Sequence, residues 1–260
     1  MQDTPWVFPG KLLSLPILTG SPRPTLESMP TAPNVSYTVL RPNSVHAHEI
    51  DMKKSRFLAL LQRVDSEAAA RAFIAETKAQ YRAARHHCSA FLIGPTRETG
   101  RSSDDGEPSG TAGMPMMQAL SAHKVPSQRE QQLEGDLSDI CAVVVRWFGG
   151  VKLGAGGLVR AYSGSVAAAL ETAPLRTRMR SRSLTVCLAH ADAGRVEDDV
   201  RTAGFTVLPT RYEADAAVLT LAVPDRELDV RNALDTVTSL TAGQYIPRPG
   251  SVDWHDIPLR

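Results

Sequence analysis

Two segments of the chain are denser in glycine and polar residues than a turn requires: Ser103–Gly113, SDDGEPSGTAG, and Arg146–Gly164, RWFGGVKLGAGGLVRAYSG. Each feeds a helix, the first at Thr111 and the second at Gly157. Backbone N–H groups at a helix start have no intrahelical partner and sit at the positive end of the helix dipole, and glycine lets an anion approach them closely. The first loop carries Asp104, Asp105, Gly106, Glu107, Gly110, Thr111 and Gly113. The second carries Gly149, Gly150, Gly154, Gly156 and Gly157, with Arg146, Lys152 and Arg160 adding positive charge. Both loops are therefore candidate anion sites. The competing reading is that the glycines serve only tight turns and that Thr111 is a helix N-cap. Neither loop is a nucleotide fingerprint: Lys152 is followed by Leu153, which breaks the P-loop pattern, and Val159 stands where a dinucleotide-binding loop needs glycine.

Asp104, Asp105 and Glu107 have the oxygen chemistry for magnesium, but Asp105-Gly106 is also a strong turn dipeptide. His86 and His87 are adjacent at a strand start, so they face opposite ways and cannot share one metal. Either one, turned toward the Gly-rich loops, could bind phosphate or carry a proton; a hydrogen-bonded structural histidine is the rival. Ser109 and Thr111 lack a nucleophile elbow. Cys88 lies in an apolar strand, and no triad is assembled. No metal and no cofactor are expected. Arg176, Arg178, Arg180 and Arg182 alternate, so an extended chain puts all four on one face, suited to a phosphate backbone or to a solvated linker.

These residues need a scaffold. With 29 Lys plus Arg against 28 Asp plus Glu the net charge is +1, which excludes a globally basic nucleic-acid coat but not a local patch. Three scattered cysteines, Cys88, Cys141 and Cys187, fit no disulfide framework, and a reducing cytoplasm is the simplest home. No apolar run is long enough to span a membrane. Residues 1–34 hold seven of the 18 prolines and are expected to be a disordered tail. A first domain, 35–174, reads as strand Val35–Leu40, a long strand from Glu49 to Val64, a helix capped by Asp65 or Ser66 with an apolar face of Ala69, Ala72, Phe73, Ala79 and Tyr81, strand Cys88–Ile93, loop Gly94–Gly110, helix Thr111–Ala122, a surface excursion Ser121–Asp139, strand Ile140–Phe148 and helix Leu158–Thr172. A basic linker, 175–182, leads to a second domain, 183–253, and a tail, 254–260. The second domain reads strand 183–189, helix 192–203, strands 205–212 and 216–223, helix 225–240 and strand 243–247, the ferredoxin-like order of an α+β domain.

Taken together, KKSRF (Lys53–Phe57), ARHHCSAFLIG (Ala84–Gly94) and the two Gly-rich loops resemble the IMPACT/YigZ family over Val35–Ala173, with Tyr162 among the matching motif positions. The Ser181–Asp253 region is similar to that family's smaller C-terminal domain. The resemblance implies a first domain shaped like domain IV of elongation factor G and a ribosomal-protein domain, followed by one like elongation factor domain V. It implies translation-related partners: RNA, a ribosome or a translation-factor surface. It transfers no catalytic residue. Trp147 stands where the family usually has tyrosine.

The leading expectation is a cytoplasmic, non-enzymatic protein that binds RNA, ribosome or a translation-associated partner through its two Gly-rich loops and the arginine stripe. Its rivals are a magnesium-dependent enzyme acting on a phosphorylated or nucleotide substrate, and a pure protein-interaction regulator. The resemblance leaves the oligomeric state and the identity of the partner open.

Overall fold

The computed structural model describes residues 36–130 and 135–259; the proline-rich segment, expected to be a disordered tail, lies outside them. The described chain is α+β, with two antiparallel sheets. The five-stranded sheet is built from β2 (Val45–Met52), β3 (Ser55–Arg63), β6 (Ile140–Trp147), β4 (His86–Ile93) and β5 (Thr99–Ser103), in that spatial order. The single long strand expected over Glu49–Val64 is instead the hairpin β2–β3. Lys53 and Lys54 both adopt positive φ, the geometry of a tight two-residue turn, which hydropathy alternation alone does not reveal. Likewise the expected loop Gly94–Gly110 contains β5, whose exposed polar residues carry no apolar signal.

Strand β6 explains the layering. Its odd positions Cys141, Val143 and Val145 pack beneath α1 (Glu67–Gln80) with Phe73 and Phe91. Its even positions Ile140, Ala142 and Val144 join α2 (Gly113–Ala122) and α4 (Ala155–Thr172) in a second core with Met116, Leu120, Tyr162 and Val166. A central strand buried on both faces reads as an unbroken apolar run. Helix α1 turns Ala70, Phe73 and Thr77 inward, while Ala72 and Ala79 face solvent. Alanine buries too little surface to set a helix's rotation, and Phe73 sets it. Ser66 Oγ accepts from the Ala69 N–H at 3.3 Å and caps this helix. Ser66→Ala is expected to lower stability by about 1 kcal/mol, measured as a shift in the urea midpoint at constant slope.

The second sheet is organised on β7 (Leu175–Leu188). Residues 175–182, expected as a linker, are the first half of this strand, because β1 (Ser36–Leu40) and β11 (Arg248–Pro258) bond to them from opposite edges. The second half of β7 pairs with β10 (Ala217–Pro224) and β11. Short strands β8 (Thr206–Val207) and β9 (Arg211–Tyr212) add to β10 where one strand over 205–212 was expected. Helices α5 (His190–Thr202) and α6 (Glu227–Leu240) close a core of Leu184, Val186, Val196, Leu219, Leu221 and Val237. The last strand lies at 248–258 rather than 243–247. Ala242 and Gly243 take positive φ at the end of α6, and Thr241 Oγ1 donates to Val237 and Tyr245 carbonyls, so this segment ends a helix.

The excursion Ser121–Asp139 holds the short helix α3 (Pro126–Glu130) and returns through buried Leu137, Ser138 and Asp139 rather than staying on the surface. Arg97 draws it in by donating to the carbonyls of Ser121, Gly135 and Leu137. Asp139 accepts from the Gly94 N–H and the Tyr37 hydroxyl, and Arg63 of β3 pairs with Asp256 of β11, tying the two sheets together.

Candidate anion-binding site

Register assembles the site. Arg146, the next even position of β6 after Val144, lies opposite Phe57 of β3 on one side and His86 of β4 on the other, all on the α4 face. Arg146 is only 6% exposed, and its Nη1 donates to Glu107 Oε1 at 2.6 Å. The same oxygen accepts from the Tyr162 hydroxyl at 2.7 Å. Burial pushes the Tyr162 hydroxyl far above its ordinary range, so it stays a proton donor. His86 Nδ1 lies 3.0 Å from the Asp105 carbonyl, and its Nε2 is 4.0 Å from Glu107. His87 points to the opposite face, with Nε2 against the Tyr81 carbonyl. Cys88 sits against the Asp104 carbonyl, its thiol pushed up to about 12 by burial.

The two helix starts differ. At α2 the amides are already occupied: Asp104 accepts from Gly110 N–H at 2.8 Å, Ala112 at 3.0 Å and Gly113 at 2.8 Å. Burial alone would raise the Asp104 carboxyl, but these three donations outweigh it and hold the group below the ordinary aspartate value. Asp104 rather than Thr111 is thus the cap; the Thr111 hydroxyl donates to the Pro108 carbonyl at 2.6 Å. At α4 the N-cap Gly154 has φ +73° and no side chain among the described residues caps the helix. A Cβ at Gly154 would meet nothing, whereas one at Gly149 would fall 1.7 Å from the Lys54 carbonyl oxygen, where the second loop presses on the β2–β3 turn. Of the two candidate anion sites, only the one at α4 therefore leaves its helix start open, because a carboxylate of the chain fills the other.

A cavity of about 370 Å³ opens at the α4 start, lined by Arg85, His86, Glu107, Arg146, Phe148 and Lys152 with apolar Pro108, Leu153 and Leu158. Glu107 and Arg146 cancel, leaving Arg85 and Lys152, both exposed and without an ion pair among the described residues, as the net charge of the wall. Arg160 is exposed farther along α4 and does not line the cavity. The three acidic residues diverge. Asp104 turns to α2, Asp105 to Lys78 at 2.6 Å and the His87 N–H at 2.7 Å, and Glu107 to Arg146 and Tyr162. Among the described residues no group of three or more His, Cys, Asp or Glu side chains could hold a metal ion.

The arginine stripe lies along one face of β7 but is largely neutralised. Arg178 pairs with Asp256 at 3.2 Å, and Arg180 and Arg182 each pair with Asp225 at 3.1 Å. Arg176 is the member without an ion pair among the described residues. Alternation places the side chains, but nothing local announces acidic partners 43 to 78 residues away. Sequence patterns also missed Phe148 and the Asp104 cap. Arg146's place was readable, since the β-branched run of β6 sets its parity.

This five-stranded antiparallel sheet carries the buried Arg146–Glu107–Tyr162 cluster, and comparison with known proteins gives its family. Residues 53–170 match the model of the Impact N-terminal domain. The IMPACT family member YvyE of Bacillus subtilis is 36% identical over 207 residues, covering 80% of this chain and 88% of its own. IMPACT family member YigZ of Escherichia coli is 43% identical over 122 residues, 46% of this chain and 54% of its own. A crystal structure of a hypothetical protein, 29% identical, aligns with 83% of this chain and 98% of its own at a TM-score of 0.47. The chain belongs to the IMPACT family. Among the described residues no helix is long and apolar enough to cross a membrane.

Proposed function

We propose that this chain is a cytoplasmic, non-enzymatic protein that binds RNA, on a ribosome or with a translation-associated partner, and acts on translation. The observation that carries this reading is the uncapped start of α4, flanked by Arg85 and Lys152, which have no acidic partner among the described residues, and by the buried Arg146. Such a wall suits phosphate, whose contacts supply most sequence-independent RNA affinity. Likeness of the two sheets to elongation factor G domains IV and V, with a ferredoxin-like second half, belongs to the same reading. The succession from β7 to β11, strand, helix, two short strands and a longer one, helix, strand, supports it, with β8 and β9 standing in the place of one strand. Because three arginines of the stripe on β7 are held in ion pairs, the reading rests on the second Gly-rich loop and the α4 cavity rather than on the stripe that was expected to help it. The enzyme alternative loses its metal site with the divergence of Asp104, Asp105 and Glu107.

Fluorescence anisotropy of the full chain with single-stranded RNA tests the proposal. Affinity should fall steeply with added salt, and Arg85→Ala with Lys152→Ala should weaken it and flatten the salt slope by about two. Affinity indifferent to salt, or unchanged in the double variant, overturns it.

A further inference from the structure

RNA binding at the α4 cavity rests on charge, whereas the cavity's shape and remaining donors restrict the kind of phosphate it can hold. We infer that the α4 cavity takes a single nucleotide carrying a phosphate monoester, as a free nucleoside monophosphate or as the phosphorylated 5′ end of an RNA strand. The RNA-end form of this inference rests on the RNA-binding reading; the free-nucleotide form does not.

Two independent observations point to a ligand here. The first turn of α4 is uncapped, and Gly154 leaves open space where a side chain would stand. Arg146, 6% exposed and lining the same cavity, has a buried Nε with no hydrogen-bond partner among the described residues. A buried guanidinium N–H without an acceptor is costly, and an entering oxyanion would satisfy it. Arg146 Nε, Lys152, Arg85 and the first-turn amides together offer more donors than the two free oxygens of a phosphodiester can use. A terminal phosphate presents three oxygens and close to two charges.

The rest of the wall is apolar, with Leu153, Leu158 and Pro108, which a bare hydrated phosphate would not need. Phe148 stands at the rim, 50% exposed, with the Arg146 guanidinium carbon 5.5 Å from its ring centroid. A half-exposed ring beside a phosphate site is a platform for a base, and stacking tolerates any base because every base has a π face. A volume of about 370 Å³ lies at the small end of ligand sites and suits one nucleotide.

The test uses the full chain with two labelled single-stranded RNAs of identical sequence, one 5′-monophosphorylated and one with a 5′-hydroxyl, and with adenosine monophosphate, adenosine and inorganic phosphate as competitors. The phosphorylated strand should bind about tenfold more tightly. Phe148→Ala, at an exposed position, should weaken adenosine monophosphate by about tenfold while leaving inorganic phosphate unchanged. Equal affinity for the two strands, with no binding of the monophosphate, overturns the pocket assignment and leaves RNA binding standing. Monophosphate binding without affinity for either strand supports the pocket and overturns the RNA reading. No binding by any probe overturns both. A Phe148→Ala variant that binds adenosine monophosphate as the parent does overturns the stacking platform.

Discussion

Arg146→Ala is expected to destabilise the protein by about 3–5 kcal/mol, the largest effect of any substitution at the site. Arg146 and Glu107 lie between β6 and α4, with side chains 7% and 4% exposed, so removing the guanidinium strands a carboxylate in the core. Tyr162 continues to donate to Glu107, but a single neutral donor does not replace a cation. Chemical denaturation at neutral pH reads the loss directly. The double variant Arg146→Leu with Glu107→Gln removes the stranded charge and keeps an acceptor for Tyr162, so it should recover more than half of that loss. A double variant no more stable than Arg146→Ala would mean that packing around the arginine stem, not charge, carries the effect.

Asp104→Ala is the second. It leaves the Gly110, Ala112 and Gly113 amides without their acceptor at once, and an expected cost of about 2–4 kcal/mol comes from losing hydrogen bonds to a charged group. The carboxyl is held below its ordinary value in the folded chain, so its contribution is complete above the unfolded value and is lost as pH falls through the depressed one. The parent should lose stability over that acid range more steeply than Asp104→Ala, and urea midpoints taken down the acid limb measure the difference. Parallel curves would assign the cost to turn geometry alone.

Much of the scaffold was legible because it rests on short-range rules. The apolar run Ala142–Val145 announced a strand covered on both faces, and Ser66 announced a helix start. What escaped was set by partners far along the chain. The arginines of β7 alternate along the chain, yet Asp225 and Asp256 decide that three of them are held in ion pairs. The helix start at Gly113 looked open until Asp104, nine residues back, folded over it. Glu107 and Arg146 are 39 residues apart, and only the pairing of β4 with β6 and the closure of the Ser103–Gly113 loop bring them together. Two Gly-rich loops that look alike in composition therefore have different fates, one sealed by its own carboxylate and one left open.

The continuity of β7 has a mechanical consequence. A flexible tether would let the two layers swing, but this 14-residue ribbon is laced to neighbours along both margins, first by β1 and then by β10, with β11 opposite. It begins three residues after α4 ends, and α4, about 27 Å long, starts at the cavity. Whatever docks at the cavity therefore meets a stiff girder, so the second sheet is held at a set distance from the ligand, in the manner of a ruler rather than a jaw.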